Sequence, residues 1–316
     1  MVQNYITNCD TGDFPSLFFQ AKMQIHNLDF HYHAGLERPA GTSLHDHLEH
    51  AVITGRRVLG VTDHLQFYWP RNDVAAGDGN PKAYANSLKG LAKYRREVEE
   101  EKKHFPSLQI LFGPEIPPKT RLADIPQEVL DLADYFICEQ AFRGDENALE
   151  ENTETFIRRI EEIRDFTRAT GKPTFLAHPF RLSINFRLIK RPIELWVTSL
   201  GYRHNEDFSP AELARFFLLD VEKVAAAASA DGVPLEVNGS SEYRVRSSNL
   251  PAALQMLRAA CRLFRNAGVE LVPGSDQHGF TTNVGRMGAY VPYETFEGLG
   301  MKAEDIHFAQ GAWKPF

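Results

Sequence analysis

Seven short apolar runs separated by amphipathic stretches organise this sequence, and that alternation leaves few architectures open. The runs are QIHNLDF (24–30), RVLGVTD (57–63), LQILFGPE (108–115), DYFICE (134–139), PTFLAH (173–178), PLEVN (234–238) and ELVPGSD (270–276). Each is four to eight residues of strand-forming character, and helical patterns lie between them. The first helix begins at Thr42-Ser43, whose hydroxyls suit an N-cap ahead of LHDHLEHAVITG. Three later helices close on Gly171, Gly232 and Gly268, the residue type that terminates a helix in the left-handed conformation. Alternating βα units imply a parallel sheet, and 316 residues suffice for one α/β barrel.

The polar residues fall at the ends of these runs. His31 and His33 follow the first, Asp63 and His64 the second, Glu115 the third, His178 the fifth, and Asp276 and His278 the seventh. Taken singly, each has an ordinary explanation. His-x-His can be two polar residues on one strand face, Asp63-His64 a helix cap, His178 a satisfied core histidine. In a barrel, however, the carboxyl ends of all strands converge on one face, so five such ends would meet in one pocket. A joint metal site explains them together. Imidazole and carboxylate donors without thiolate suit Mn, Fe or Zn, and there are enough for two or three divalent ions, with Glu115 the natural bridge.

Composition narrows the class. With 43% hydrophobic and 24% charged residues the chain reads as an ordinary globular protein. A net charge of -7 argues against general nucleic-acid binding. The first twenty-four residues lack the basic and apolar regions of a signal peptide, and no apolar run reaches membrane-spanning length, so a cytoplasmic location is expected. Cys9, Cys138 and Cys261 are widely spaced and read as free thiols.

The segments FHYH, VTDH, LAHP and GSDQH, with GPE and LEVN (235–238), occur in this order between about residues 24 and 280. As a set they resemble the PHP superfamily, the polymerase-and-histidinol-phosphatase family of metal-dependent phosphoesterases. The resemblance implies a distorted (β/α)7 TIM-like barrel of PHP type. It also implies one ion held by His31, His33, Glu115 and Asp276. A second would take His64, His278 and a histidine from the loop after the first strand, which here reads AGLERPAG and offers Glu37 instead. A third would take Glu115, His178 and a histidine near Ala141, where Glu139, two residues earlier on the same strand face, is the available replacement. Exchanging imidazole for carboxylate lowers the cluster's positive charge and points to an atypical substrate.

The whole chain, 1–316, is expected to form one such domain, with a core at about 24–280, insertions at about 68–83 and 180–209, and an extension at 281–316 that packs on the barrel or on another subunit. The second insertion holds Arg181, Arg187, Lys190, Arg191 and Arg203, a set suited to an anionic substrate or to a solvated surface. Arg181 and Arg143 are the arginines best placed to clamp a phosphate, or to form structural salt bridges. His47 and His50 read as a partly solvated helix face. His204, in the second insertion, is a candidate substrate contact.

The resulting expectation is a hydrolase of small phosphomonoesters, of histidinol-phosphate, sugar-phosphate or nucleotide type. A hydroxide bridging the ions would attack phosphorus, and Asp63 or His278 would assist proton transfer. An amide or lactone hydrolase on a similar barrel would be marked by an activated lysine at a strand end, and none of these ends has one. A metal-binding module without turnover is the non-enzymatic alternative.

Overall fold

In the computed structural model, residues 23–35, 41–65, 87–181, 184, 191–203, 207–278 and 291–313 are described. Among these residues there are eight short strands: β1 (Leu28–His33), β2 (Val58–Thr62), β3 (Gln109–Phe112), β4 (Glu115–Ile116), β5 (Phe136–Cys138), β6 (Thr174–Leu176), β7 (Leu235–Asn238) and β8 (Leu271–Gly274). Every pairing between them is parallel, giving one sheet of order β1-β2-β3 and a second of order β4-β5-β6-β7-β8. Nearly every strand residue is buried, which is why the runs read as continuous apolar stretches and not as alternating ones.

Two features differ from the sequence expectation. The run 108–115 is two strands in different sheets. Pro114 has no N–H to donate, and Gly113 must stay without a side chain because the Tyr135 ring occupies the space a Cβ would need. The sheets meet through single parallel bridges, Tyr32 to Gln277 and His64 to Glu115, so no continuous ladder among the described residues closes a seven-stranded barrel. The first strand also begins later than expected, because Ile25–Asn27 forms a 3-10 turn, and His31 and His33 therefore lie within the strand.

Ten helices are described: α1 (Leu44–Ile53), α2 (Ser87–Glu101), α3 (Gln127–Leu132), α4 (Leu149–Thr170), α5 (Arg191–Leu200), α6 (Pro210–Phe217), α7 (Val221–Asp231), α8 (Gly239–Ser247), α9 (Pro251–Asn266) and α10 (Tyr293–Gly298). Ser43 caps α1 in a reciprocal box with Asp46. Gly171 and Gly232 end α4 and α7 in the left-handed conformation, and Gly268 adopts it one residue beyond the cap of α9. The 180–209 stretch, expected to be irregular, contains α5, with Ile193 and Val197 buried four residues apart on one face. The 68–83 insertion and residues Glu37, Arg187, Lys190 and His204 lie outside the described residues.

Tyr135 anchors the interior. Its hydroxyl donates to the Phe30 carbonyl at 2.6 Å, and its ring stands 5.5 Å from Phe308 and stacks on Phe175 at 6.1 Å. Phe308 and Trp313, from the C-terminal extension, pack edge-on and tilted against Phe30 at 5.5 and 5.9 Å. The extension is therefore part of this chain's own core. His47 is also buried, against Tyr32, which corrects the solvated-face reading. Leu44, His47, Leu48 and Ala51 form the single face of α1 that meets the sheet.

Candidate metal centre

Residues i and i+2 of a strand share a face, so β1 presents His31 and His33 together, with their Nε2 atoms 3.1 Å apart. The end of β8 is tied to the same strand by two hydrogen bonds. Asp276 N donates to the His31 carbonyl at 2.7 Å, and Ser275 N donates to Asp29 Oδ1 at 2.9 Å. This brings Asp276 Oδ1 to 3.8 Å from His31 Nε2 and 3.5 Å from His33 Nε2. Glu115 enters from β4, its Oε2 at 3.5 and 3.4 Å from the same two nitrogens.

Glu115 then extends the cluster in two directions. Oε2 lies 2.9 Å from His64 Nδ1, and Oε1 lies 3.0 Å from His178 Nε2. Glu139 Oε1 is 3.6 Å from His178 Nε2. Three overlapping groups result, each with its donor atoms within 4.8 Å of one another: His31, His33 and Asp276; His33, His64 and Glu115; Glu115, Glu139 and His178. Ligands held at about 2.0–2.2 Å from one tetrahedral ion lie roughly 3.3 Å apart, so these separations fit the donors of shared ions. The donor chemistry fits as well, being imidazole and carboxylate throughout.

His178 and Asp276 both adopt positive φ, 26° and 54°, although neither is glycine. Non-glycine residues seldom hold that conformation, although Asp and His do so more readily than most, and among the described residues Leu218, Asn249 and Ala309 adopt it elsewhere. Here two residues of the cluster share it. Arg159 braces the far side, donating from α4 to the carbonyls of Glu139 at 2.9 Å and Thr120 at 2.8 Å.

The electrostatics follow from placing three carboxylates, Glu115, Glu139 and Asp276, among histidines in a largely buried site. Burial alone would raise Glu115, but His64, His31 and His178 hold it well below the usual carboxylate range. Burial likewise opposes ionisation of Asp276, and Arg181 with His278 keeps it well below its ordinary value. Glu139 is pushed up, by burial and by the charge of Glu115. Against its own burial, His64 is raised by Glu115 to about 9. Protons on the imidazoles thus balance the carboxylates, and a divalent cation would replace them.

Other expected site residues fall at varying distances from this core. His278 falls outside the three groups; its Nε2 is 3.1 Å from Asp276 Oδ1, and its ring stacks on His33 at 3.9 Å and lies 6.2 Å from the His64 ring. Asp63 is buried outside the three groups and accepts from His64 N at 3.1 Å, so it orients the turn that carries His64. Arg181 belongs to the site, with Nη1 donating to Asp276 Oδ2 at 2.6 Å. Arg143 forms the salt bridges that were its alternative to a phosphate clamp: it is 60% exposed and paired with Asp145 at 3.0 Å and Glu151 at 2.6 Å, because the turn into α4 surrounds it with acids. Arg203 is bound to Glu212 at 2.6 Å and lies over the Phe208 ring, so its charge is already matched.

Sequence reasoning missed three residues. Asp29 and Glu236 are buried carboxylates at the second positions of β1 and β7, each between two apolar neighbours, and that incongruity was the available signal. Arg244, on α8, is near enough to Arg181 and Asp276 for their charges to act on it, and its Nε is buried with no hydrogen-bond partner among the described residues. Nothing in the local sequence marked it out.

No protein-family model and no curated protein matches the sequence. Among solved structures, the fold is similar to histidinol phosphate phosphatase from Lactococcus lactis subsp. lactis Il1403, determined with zinc, L-histidinol and phosphate. The TM-score is 0.52 at 16% identity, over 87% of this chain and 92% of that one. A 5-methylcytosine deaminase from Klebsiella pneumoniae overlaps more loosely, with a TM-score of 0.38 at 11% identity over 95% of this chain and 66% of that one. The first likeness is one of fold. Among the described residues, no helix is long and apolar enough to cross a membrane.

Proposed function

We propose that this chain is a metal-dependent phosphoesterase acting on a small phosphomonoester, built on a PHP-type barrel and working in the cytoplasm. The observation that carries the reading is Glu115, a fully buried carboxylate whose two oxygens face different histidines, so that it joins two of the donor groups and lies within 3.5 Å of both histidines of the remaining one. Divalent ions bound there, Mn, Fe or Zn, would supply concentrated positive charge and a nucleophilic water at neutral pH.

The chain's own residues would do the rest. His31, His33, Glu115 and Asp276 hold the first position, His64 and His33 extend it, and His178 with Glu139 completes the third. Arg181 lies beside Asp276 and Arg244 is near enough for the charges of both to act on it, so the two guanidinium groups would neutralise a phosphate and its developing charge. His278, 18% exposed at the rim of the cluster, is the group placed to exchange a proton with a leaving alcohol. The fold likeness to a phosphatase solved with zinc and phosphate supports the same reading.

Elemental analysis of protein purified without chelator tests this, with a panel of sugar, nucleotide and amino-alcohol phosphates. Two or three ions per chain, lost in His31→Ala together with turnover, is the expected result. A wild type that takes up no Mn, Fe or Zn overturns the reading.

A further inference from the structure

Glu236 sits under the cluster without belonging to any of the three donor groups. Its Oε1 is 3.0 Å from His31 Nδ1 and accepts from Asn238 Nδ2 at 3.1 Å, while Oε2 accepts from the backbone N of His178 at 2.6 Å. Three groups converge on this carboxylate, so with His31 neutral, the form that binds a metal, its proton resides on Nδ1. The lone pair of His31 then lies on Nε2, the atom facing His33, Glu115 and Asp276. At the other end, the same carboxylate grips the backbone of a residue held at a φ of 26°. Gly274 makes the arrangement possible, because any side chain there would run into Glu236 Oε1.

We infer that Glu236 is a positioning residue that sets the tautomer of His31 and the backbone of His178 together, and so couples two metal positions drawn from opposite ends of the cluster. This rests on the metal reading above. A carboxylate behind a ligating histidine fixes ring orientation and raises its basicity, and loss of such a partner commonly weakens metal binding about 10–100-fold. Here one side chain serves ligands from two groups, so both positions weaken together. In Glu236→Gln the single carbonyl oxygen can serve His31 and Asn238 or the His178 N–H, but not both.

The test is zinc binding by competition with a chromophoric chelator, comparing wild type, Glu236→Gln, Glu236→Ala and Ile163→Ala, a buried position on α4 away from the strand ends. Histidine-labelled nitrogen NMR of the zinc-loaded proteins reports the tautomer. The expected result is about 10–100-fold weaker zinc binding at two positions in Glu236→Ala. A smaller loss is expected in Glu236→Gln, wild-type affinity in Ile163→Ala, and a protected Nδ1–H on His31 only where an acceptor remains. Wild-type zinc affinity in both Glu236 variants overturns the inference, as does an equal loss in Ile163→Ala. If Glu236→Ala does not fold, Glu236→Gln alone decides. Failure of the wild type to bind zinc, Mn or Fe instead removes the metal reading itself.

Discussion

Arg181 and Asp276 form a partly buried ion pair at 2.6 Å through Oδ2, which leaves the other oxygen of the same carboxylate facing His33 at 3.5 Å. One side chain thereby joins a cation that can meet a phosphate to the donors that would hold an ion. Arg181 is 21% exposed, so it reaches both the cluster and the solvent side.

Replacing Arg181 by Met is expected to lower kcat/KM for a phosphomonoester by about 10²–10³-fold, the usual cost of removing one preorganised donor to developing charge. Arg143→Ala should change it by less than about twofold, since that side chain is matched by surface acids whose pairing contributes little. Steady-state kinetics on one substrate separates the two.

The third donor group depends on His178 and Glu139. His178→Ala is expected to lose one ion per chain and keep those held by His31, His33 and Asp276, as read by elemental analysis. Loss of all metal in that variant would mean that the groups do not bind independently.

Stability of the metal-free protein should depend on pH from both sides. His64 has its folded pKa raised from 6.5 to about 9, so its contribution is full below 6.5 and disappears as pH rises through 9. Glu115 and Asp276 are depressed, so their contributions are present above their ordinary values of 4.5 and 3.8 and are lost as pH falls. Thermal melts in chelator should peak between about pH 5 and 6.5. With metal added, the alkaline arm should recover, because the ion replaces the protons.

Trp313→Ala is expected to cost about 3–5 kcal/mol by emptying the site against Phe30, with C-terminal truncation before Phe308 costing more. Urea denaturation measures this. An unchanged midpoint would show that the extension is not part of the folding unit.

Much of this architecture was legible because its signals are local. Continuous apolar runs mark strands buried on both faces, and the caps at Ser43, Gly171 and Gly232 mark helix ends by the conformations those residues adopt cheaply. The donors His31, His33, Glu115 and Asp276 could be listed because each ends an apolar run, and the structure places them together. Glu139 was likewise anticipated beside His178. His47 was misjudged because whether a polar side chain faces an aromatic ring or solvent depends on neighbours that helix periodicity does not specify.

By itself, then, the sequence determined the rhythm of strands and helices and the donors at the strand ends, since short-range sterics and hydrogen bonding set both. Only the tertiary structure decided that LQILFGPE is shared between two sheets, that Tyr135 fills the space left by Gly60 and Gly113, and that Glu236 stands behind His31. The last two residues are 205 positions apart. Their pairing arises because β8, the edge strand of the sheet that carries Glu236 on β7, adjoins β1, which carries His31, and because burial leaves a charged carboxylate no favourable place except among donors.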